Sequence, residues 1–278
     1  MGMIVMKTPF AIDSLSLHAS LFGPTSPLVL DVARPEIVRE AGWLIPGARS
    51  ARSEDASTLA ESLDRGRVVV VACAHGHNRS QQVVAELRRA GIAAATLEGG
   101  RDAWAAAGLP RVRREADGIA LGGAPTVWVT RRRPKIDRIA CPWLVARFLD
   151  PDARFLFVDP DQVLAVAADA GGIPYDLPGG LFEHAGERCS FDALLEAFGL
   201  DGDPRLAELA LIVRGADTGR LDLAPACAGL LGLSLGLSAR HGDDDHALLR
   251  DGFLLYDALY TWLLQARSET HLWVRQAA

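Results

Sequence analysis

The chain has 278 residues, 49% hydrophobic and 23% charged, which is typical of a globular protein long enough for two domains. Its formal net charge of -6 argues against general binding to nucleic acids or membrane surfaces, so we expect neither partner. The four cysteines are too widely spaced for a disulfide framework, and the start, MGMIVMKTPF, does not fit a signal peptide. These features together predict a cytoplasmic protein with reduced thiols.

Short apolar runs alternate with helical patterns in the first half of the chain. Runs that end near Asp31 and Ala72 predict buried strands, and the second, VVVVA, has the β-branched composition of a central strand in a parallel sheet. The segment SQQVVAELRRAGI has apolar residues at helical spacing and stops at Gly91. A third strand, AATL, and a short helix, RDAWAAAG, follow. This alternation predicts an α/β parallel-sheet domain.

A segment rich in glycine, proline and charge separates the two halves of the chain. We predict an N-terminal domain over residues 1–110, a linker over 111–125 and a C-terminal domain over 126–278. The C-terminal domain has two strand patterns, TVWVT and ARFLFVD, among several helical ones, so we predict a helix-rich α+β fold. Its last helix is predicted over 244–266. The uncharged stretch 223–239 is at the short limit for a membrane span and contains proline and glycine, so we predict buried helix and turn there.

The segment CAHGHNRSQQ places a thiol between the most apolar strand and a helix. Ligands bind at this edge of open α/β sheets, and a loop entering a helix can direct several backbone N–H groups at one centre. Such a nest would lower the pKa of Cys73 and favour its nucleophilic thiolate. We therefore predict that Cys73 and Arg79 are catalytic, with Arg79 clamping an oxyanion. The residues between them are predicted to bind the substrate or oxyanion: Ala74, His75, Gly76, His77 and Asn78.

The two histidines of this loop have two interpretations. As an H-x-H pair, His75 and His77 could bind a metal ion, but no further ligand follows nearby in the sequence. We interpret them as side chains that line the mouth of the pocket.

Several short motifs of the first half resemble the rhodanese superfamily in order and spacing. They are Asp31 in LVLDV, the IPGA element, the strand–Cys73–helix unit, and LEGG followed by Trp104, over about residues 26–110. The resemblance implies a rhodanese-like fold in which Cys73 carries a persulfide. Sulfur would pass from a small donor such as thiosulfate to a thiophilic acceptor.

This sequence also departs from the rhodanese pattern. The spacing Cys-x5-Arg is one residue longer than in common sulfurtransferases and matches related phosphatases and arsenate reductases, so a tetrahedral oxyanion such as chromate or arsenate is an alternative substrate. An inserted Ala33 displaces Arg34, and Trp43 and Leu44 stand where the family has a histidine. A catalytically silent rhodanese module is a further alternative.

Potential metal ligands recur in the second half of the chain. If they converge, His184, Asp217, Asp244 and His246 would supply the mixed nitrogen and oxygen ligands of a divalent metal, the one cofactor that we consider. Alternatively, Asp244 caps the last helix. Cys189 is a further candidate site residue.

Pro142 is tolerated only near the start of a helix, so we predict a helix beginning between Asp137 and Cys141. Cys141 would then be either a thiolate favoured by the helix N-terminus or a small buried side chain. Asp137, Arg138 and Arg147 interrupt this apolar helix and predict a buried ion-pair network, and Asp137 is also a candidate site residue.

Longer strings in the second half resemble the C-terminal domain of ChrB-type chromate-resistance proteins. They are WVTRRRPKIDRIACPWL, FEHAGERCSFD, IVRGADT and LYDALYTW, over about residues 126–265. The resemblance implies a role in chromate resistance as a sensor, a regulator or a chromate-handling protein. A rhodanese-like domain replaces the regulatory N-terminal domain usual in that family, which argues against a transcription regulator.

The two resemblances together predict a rhodanese-like sulfurtransferase linked to chromate resistance. The alternatives are an oxyanion reductase that acts on chromate or arsenate, and a chromate-responsive sensor that only binds. Either alternative would use Cys73 or the C-terminal domain.

Overall fold

The computed structural model describes residues 10–22 and 26–269. The first nine residues of the segment interpreted above as not being a signal peptide lie outside this range. Within the described part, no helix is both long enough and apolar enough to cross a membrane. All four cysteines are free thiols.

The N-terminal half is built on a parallel five-stranded sheet. Its strands and helices, in chain order, are β1 (Ala11–Ile12), α1 (Ser14–Ser20), β2 (Leu28–Asp31), α2 (Pro35–Ala41), β3 (Trp43–Leu44), β4 (Ala48–Ser50), α3 (Ala56–Ser62), β5 (Val69–Ala72), α4 (Asn78–Arg89), β6 (Ala94–Leu97) and α5 (Gly100–Ala106). The strand order is β1-β6-β5-β2-β4, and every neighbouring pair is parallel. The predicted α/β class is therefore confirmed, with β5 at the centre.

Alternate residues of the central strands pack into two different cores, because successive side chains of a strand point to opposite faces. Val69 and Val71 pack with residues of α3 and α4, whereas Val70 packs in the larger core with Leu17 of α1 and Trp104 of α5. Helices therefore cover both faces of the sheet, which explains why β5 is apolar at every position.

The C-terminal half is rich in helices. Its strands and helices are β7 (Val112–Arg113), β8 (Glu115–Ala116), β9 (Ile119–Ala120), β10 (Val127–Arg131), α6 (Asp137–Leu144), β11 (Arg154–Val158), α7 (Val163–Ala170), β12 (Ile173–Pro174), α8 (Ser190–Ala197), α9 (Pro204–Asp217), α10 (Cys227–His241) and α11 (Asp245–Thr261). The strands β11-β10-β12 form a small parallel sheet. Turns with π-helical hydrogen bonds extend α6 and α11 over Val145–Leu149 and Trp262–Ala266. The predicted helix-rich α+β class is confirmed.

The predicted linker, residues 111–125, contains three short strands of two residues each. β7 pairs with β3 and β8 pairs with β9, both antiparallel. The side chains of Val112, Ile119 and Leu121 are buried in the larger core. This segment is therefore packed, while the division of the chain into domains at this place stays a prediction.

The larger core continues from the first half of the chain into the second. Phe22 stacks on Phe148 with 4.8 Å between ring centroids and meets Tyr260 edge-on at 4.5 Å. The backbone N–H of Gly47 donates to the carbonyl oxygen of Phe148 at 2.7 Å. Close aromatic pairs of this kind stabilise packing beyond simple burial, by roughly 0.5–1.5 kcal/mol each.

A buried histidine in this core makes stability depend on pH. Burial lowers the pKa of His18, which packs against Phe22 and Trp104, from 6.5 to about 4. Between these pH values the unfolded chain binds a proton at His18 that the folded protein does not. The contribution of His18 to the free energy of unfolding is therefore fully present above pH 6.5 and is lost as the pH falls toward 4. We expect unfolding in urea to require about 2 kcal/mol less at pH 5 than at pH 8 on account of His18.

Replacing His18 by leucine, which is similar in size and cannot titrate, is expected to remove this part of the pH dependence. Wild type and the His18→Leu variant should be unfolded in urea at both pH values. An identical loss of stability between pH 8 and pH 5 in both proteins would contradict the assignment.

Candidate functional site

The loop after β5 folds around the sulfur of Cys73. β5 ends at Ala72, and α4 begins at Asn78, so the intervening loop curls directly into a helix N-terminus. The Cys73 Sγ lies 3.3 Å from the hydroxyl of Ser80 and 3.8 Å from the carbonyl oxygen of His77. The loop therefore holds the sulfur at the carboxyl edge of the sheet.

Opposing effects act on the acidity of this thiol. Burial by itself would raise the pKa of Cys73, but hydrogen bonds from the Ser80 hydroxyl and from the backbone at Ser80, His75 and His77 outweigh it and lower the pKa. Hydrogen bonds to the charged form stabilise it, as in an anion nest. The site thus favours the nucleophilic thiolate.

Two glycines bring the loop against the start of α5. Gly76 and Gly100 both have positive φ values, +71° and +57°. A Cβ on Gly76 would lie 2.7 Å from the Gly99 nitrogen and 2.7 Å from the Leu97 oxygen. Two backbone hydrogen bonds stabilise this contact. The N–H of Arg101 donates to the carbonyl oxygen of Cys73 at 2.9 Å, and the N–H of Asp102 donates to the carbonyl oxygen of Ala74 at 3.1 Å. The LEGG motif therefore forms the wall of the Cys73 loop.

The other loop residues predicted from the sequence lie around this centre. Gly76 is buried, Ala74 is half-buried, and His75, His77 and Asn78 are exposed. Nδ1 of His75 lies 2.6 Å from a carboxylate oxygen of Asp102. Arg79 donates to the hydroxyl of Ser53 at 2.6 Å, so oxyanion clamping by Arg79 stays a prediction.

Sequence reasoning missed Ser80, although it follows Arg79 directly and lies in the first turn of α4. Its hydroxyl is the side chain closest to the thiol among the hydrogen-bonding groups described, and its single proton can be donated either to the sulfur or to the His77 carbonyl at 3.0 Å. The signal available in the sequence was a serine in the first turn of the helix that follows the Cys73 loop.

Replacing Ser80 by alanine should raise the pKa of Cys73, because one donor to the thiolate is lost. One neutral hydrogen bond contributes about 1 kcal/mol, which corresponds to an upward shift of somewhat under one pH unit. The pH profile of Cys73 alkylation by iodoacetamide, followed by mass spectrometry, measures this shift. The Ser234→Ala variant, which removes a fully buried serine of α10, is the matched control. An unchanged profile in Ser80→Ala would contradict the role of Ser80.

A second cluster lies in the C-terminal half, where His184 meets one carboxylate each from α6 and α9 and one from its own segment. Asp137 begins α6, Asp217 ends α9, and His184 lies between β12 and α8. Nε2 of His184 is 3.0 Å from Asp137, 3.3 Å from Asp217 and 3.6 Å from Asp176. Among the described residues, Asp137, His184 and Asp217 form a group able to hold a metal ion, with ligand atoms all within 4.8 Å of one another.

The close approach of these groups changes their acidity. A hydrogen bond with Asp137 raises the pKa of His184 to about 9. Burial, reinforced by the charge of Asp137, raises the pKa of Asp217 to about 7 and also raises that of Asp176. The raised pKa values mean that these side chains bind protons more strongly than the same side chains do in water.

The backbone is strained next to this cluster. Ile136, directly before Asp137, has φ of +41°, and Asp176 has φ of +54°. A left-handed conformation is unusual for a β-branched residue such as isoleucine. Strain of this kind is concentrated at functional sites, where the surrounding structure maintains it.

The structure corrects half of the metal set predicted from the sequence. His184 and Asp217 do converge, but Asp244 and His246 do not join them. Asp244 caps α11 by accepting from the N–H of Ala247 at 2.9 Å, and the exposed His246 packs edge-on against Phe157 with 5.6 Å between ring centroids. Asp137, predicted separately, takes their place.

The structure also corrects the thiolate interpretation of Cys141. α6 begins at Asp137 as predicted, but Cys141 is buried, and burial together with nearby carboxylates raises its pKa well above the ordinary value. Burial outweighs the helix N-terminus, so Cys141 is a small buried thiol. Burial likewise raises the pKa of Cys189, whose sulfur lies 3.5 Å from a carboxylate oxygen of Asp192.

The predicted buried ion-pair network exists, with partners from outside α6. Arg147 makes two hydrogen bonds of 2.9 Å to the buried Asp257, which also accepts from the indole N–H of Trp143 at 2.9 Å. Arg138 pairs with Asp176 at 3.1 Å. These pairs tie α6 to α11 and to the segment after β12.

Comparisons with known proteins match the two halves separately. The model of the rhodanese-like domain matches residues 17–107, and that of the ChrB C-terminal domain matches residues 128–263. A curated relative, Protein ChrB from Cupriavidus metallidurans, is 40% identical over 134 residues. The match spans 48% of this chain but only 40% of that relative, well under half of its length.

Solved structures match the N-terminal half. A rhodanese-related protein from Thermoplasma volcanium is 27% identical, covering 37% of this chain and 98% of its own, with a TM-score of 0.33. A rhodanese-like domain protein from Staphylococcus aureus is 28% identical, covering 34% and 91%, with a TM-score of 0.31. The two family models thus match successive parts of the chain, the rhodanese-like domain over residues 17–107 and the ChrB C-terminal domain over residues 128–263.

Proposed function

We propose that this protein is a sulfurtransferase that carries sulfur as a persulfide on Cys73 and that it acts in chromate resistance. The observation that carries the proposal is the position of the Cys73 sulfur in the loop between β5 and α4, 3.3 Å from the Ser80 hydroxyl, where hydrogen bonds lower the pKa of the thiol. A thiolate is the form of cysteine that attacks sulfur. The rhodanese-like domain supplies the matching fold.

The proposed reaction has two balanced steps. In the first, the Cys73 thiolate attacks the outer sulfur of thiosulfate, a new S–S bond forms, and sulfite leaves with the electron pair of the broken S–S bond. In the second, a thiophilic acceptor such as cyanide attacks the outer persulfide sulfur, thiocyanate is released, and the thiolate is restored. The backbone groups around Cys73 would stabilise the negative charge on the persulfide.

The proposed link to chromate rests on the C-terminal domain. Residues 128–263 match the ChrB C-terminal domain, and the curated relative Protein ChrB shares this region. We place the protein in chromate resistance on this relation, with sulfur transfer as its chemistry.

Thiocyanate formation from thiosulfate and cyanide tests the enzymatic part. We expect activity in wild type, a persulfide on Cys73 detected by mass spectrometry after thiosulfate treatment, and loss of both in Cys73→Ser. The Cys227→Ala variant removes a buried thiol of α10 and should keep full activity. Activity that persists in Cys73→Ser, or its absence from wild type, would reject the proposal.

Reduction of an oxyanion is a second candidate, favoured by the spacing of five residues between Cys73 and Arg79. Chromate loss in the presence of a small thiol as reductant should then depend on Cys73. Chromate loss that is equal in wild type and Cys73→Ser would exclude this chemistry at Cys73. Stoichiometric chromate binding without turnover would instead favour a sensor.

A further inference from the structure

The nitrogen of His184 lies at distances from the carboxylates of Asp137 and Asp217 that are typical of two ligands to one metal ion. Nitrogen and oxygen ligands lie about 2.0–2.2 Å from a transition metal, so neighbouring ligand atoms are roughly 3–3.5 Å apart. The His184 Nε2 lies 3.0 Å from Asp137 Oδ2 and 3.3 Å from Asp217 Oδ2. We propose that these three side chains bind one divalent transition-metal ion in the C-terminal domain.

The balance of charge in the cluster supports a cation. The side chains of Asp137 and Asp217 are only 3% and 14% exposed, and within the described residues the ion-pair partner of both is His184. A single imidazolium can balance one of these two carboxylates, and an unbalanced carboxylate that is largely removed from solvent is costly. A divalent ion with a neutral imidazole would balance both.

Asp176 has its charge balanced differently and is therefore not part of the proposed ligand set. One of its oxygens pairs with Arg131 and Arg138, and the other lies 3.3 Å from the Ser190 hydroxyl. This contrast shows that the fold supplies arginines to one aspartate of the cluster and none to the other two among the residues described. Asp176 lies 3.6 Å from Nε2 of His184, farther than the two proposed carboxylate ligands.

The ligand types indicate the class of ion. One imidazole nitrogen and two carboxylate oxygens suit Zn²⁺, Mn²⁺, Fe²⁺ or Co²⁺ better than Cu⁺, which prefers thiolates, or Ca²⁺, which takes six to eight oxygens. The His184 side chain is 40% exposed, whereas Asp137 is buried and Asp217 is half-buried. The ion would therefore have three protein ligands and retain solvent-facing positions, which is the arrangement of exchangeable or catalytic sites.

Equilibrium dialysis of the full, untagged protein against Zn²⁺ and Mn²⁺, after treatment with a chelator, tests the site. We expect about one equivalent of ion per chain for at least one of the two metals, measured by inductively coupled plasma mass spectrometry. The Tm of the protein should rise when that metal is bound. The His184→Ala and Asp217→Asn variants should bind at least about 100-fold more weakly, since even outer-shell changes cost about 10- to 100-fold. Circular dichroism checks that each variant is folded.

Two controls sharpen this test. The His246→Ala variant removes an exposed histidine outside the cluster and should bind the ion like wild type. The Cys73→Ser variant should also bind normally, so that failure of the metal proposal and failure of sulfur transfer are distinguishable. If Asp217→Asn does not fold, His184→Gln, at a half-exposed position, replaces it.

The proposal is overturned if wild type binds less than a stoichiometric amount of both ions. It is equally overturned if binding is unaffected both by His184→Ala and by the second cluster variant, Asp217→Asn or its replacement His184→Gln. Loss of binding in His246→Ala, with binding kept in His184→Ala, would place the ion elsewhere.

Discussion

Replacing Gly100 by alanine is expected to destabilise the protein by about 2–5 kcal/mol and to abolish the reactivity of Cys73. Gly100 has a φ of +57°, and a Cβ there would lie 2.6 Å from the Gly76 nitrogen and overlap the carbonyl oxygen of Cys73. A left-handed conformation costs about 1–2 kcal/mol for a residue with a Cβ, and overpacking adds about 1–3 kcal/mol. Because the atoms that would clash are backbone, the Cys73 loop itself must move.

Gly108 offers a matched control for this prediction. It has a φ of +65°, but a Cβ there would have no neighbour within 4 Å, so Gly108→Ala tests the backbone conformation without the clash. We expect it to cost only about 1–2 kcal/mol and to leave the alkylation rate of Cys73 unchanged. Urea unfolding and iodoacetamide labelling of both variants measure the difference. Equal effects of the two substitutions would show that contact with the Cys73 loop is unimportant.

Replacing Arg101 by methionine is expected to cost about 3–5 kcal/mol of folding free energy, because it leaves a buried aspartate without its partner. Arg101 and Asp31 form an ion pair in which the side chains are only 3% and 1% exposed. The guanidinium also donates to the Trp43 carbonyl at 2.5 Å and lies 4.0 Å from the centroid of the Trp43 ring. Methionine would keep part of the packing but none of these polar contacts.

The exposed pair of Arg188 and Glu196 is the control for this second prediction. Its side chains are 46% and 62% exposed, with 2.9 Å between the charged atoms, so Arg188→Met removes an ion pair that solvent already screens. We expect a change of less than about 1 kcal/mol. Urea unfolding of wild type and both variants provides the comparison. A cost for Arg101→Met no larger than that for Arg188→Met would contradict the importance of burial.

These two predictions concern one structural unit, the junction between the Cys73 loop and the start of α5. The backbone N–H of Arg101 donates to the carbonyl oxygen of Cys73, while the Arg101 side chain pairs with Asp31 at the end of β2. Asp31 also accepts from the N–H of Ala33 at 3.0 Å. The motifs LVLDV and LEGG, far apart in the chain, therefore meet beside the Cys73 loop.

The geometry of the Cys73 loop could be predicted from the sequence because its groups are close along the chain. Strand β5, the glycine at position 76 and the start of α4 are local features, and the groups that lower the pKa of Cys73 lie within seven residues of it. Hydrophobic periodicity and helix-entry patterns report such short-range structure well. Ser80 was within reach of the same reasoning.

Only the tertiary structure decided which groups meet in the C-terminal half. His184 reaches Asp137 across 47 positions of the chain, and no spacing rule predicts such a contact. The sequence identified ligand types, but packing of α6, α9 and the His184 loop selected Asp137 and left Asp244 as a helix cap. Likewise, the position of Cys141 near a helix N-terminus was readable, whereas its burial, which reverses its acidity, depends on helices packed around it. Local hydrogen bonds and hydrophobic periodicity depend on residues that are close in the sequence and can be predicted from it. The burial of a side chain and the convergence of a site arise only when distant segments pack together.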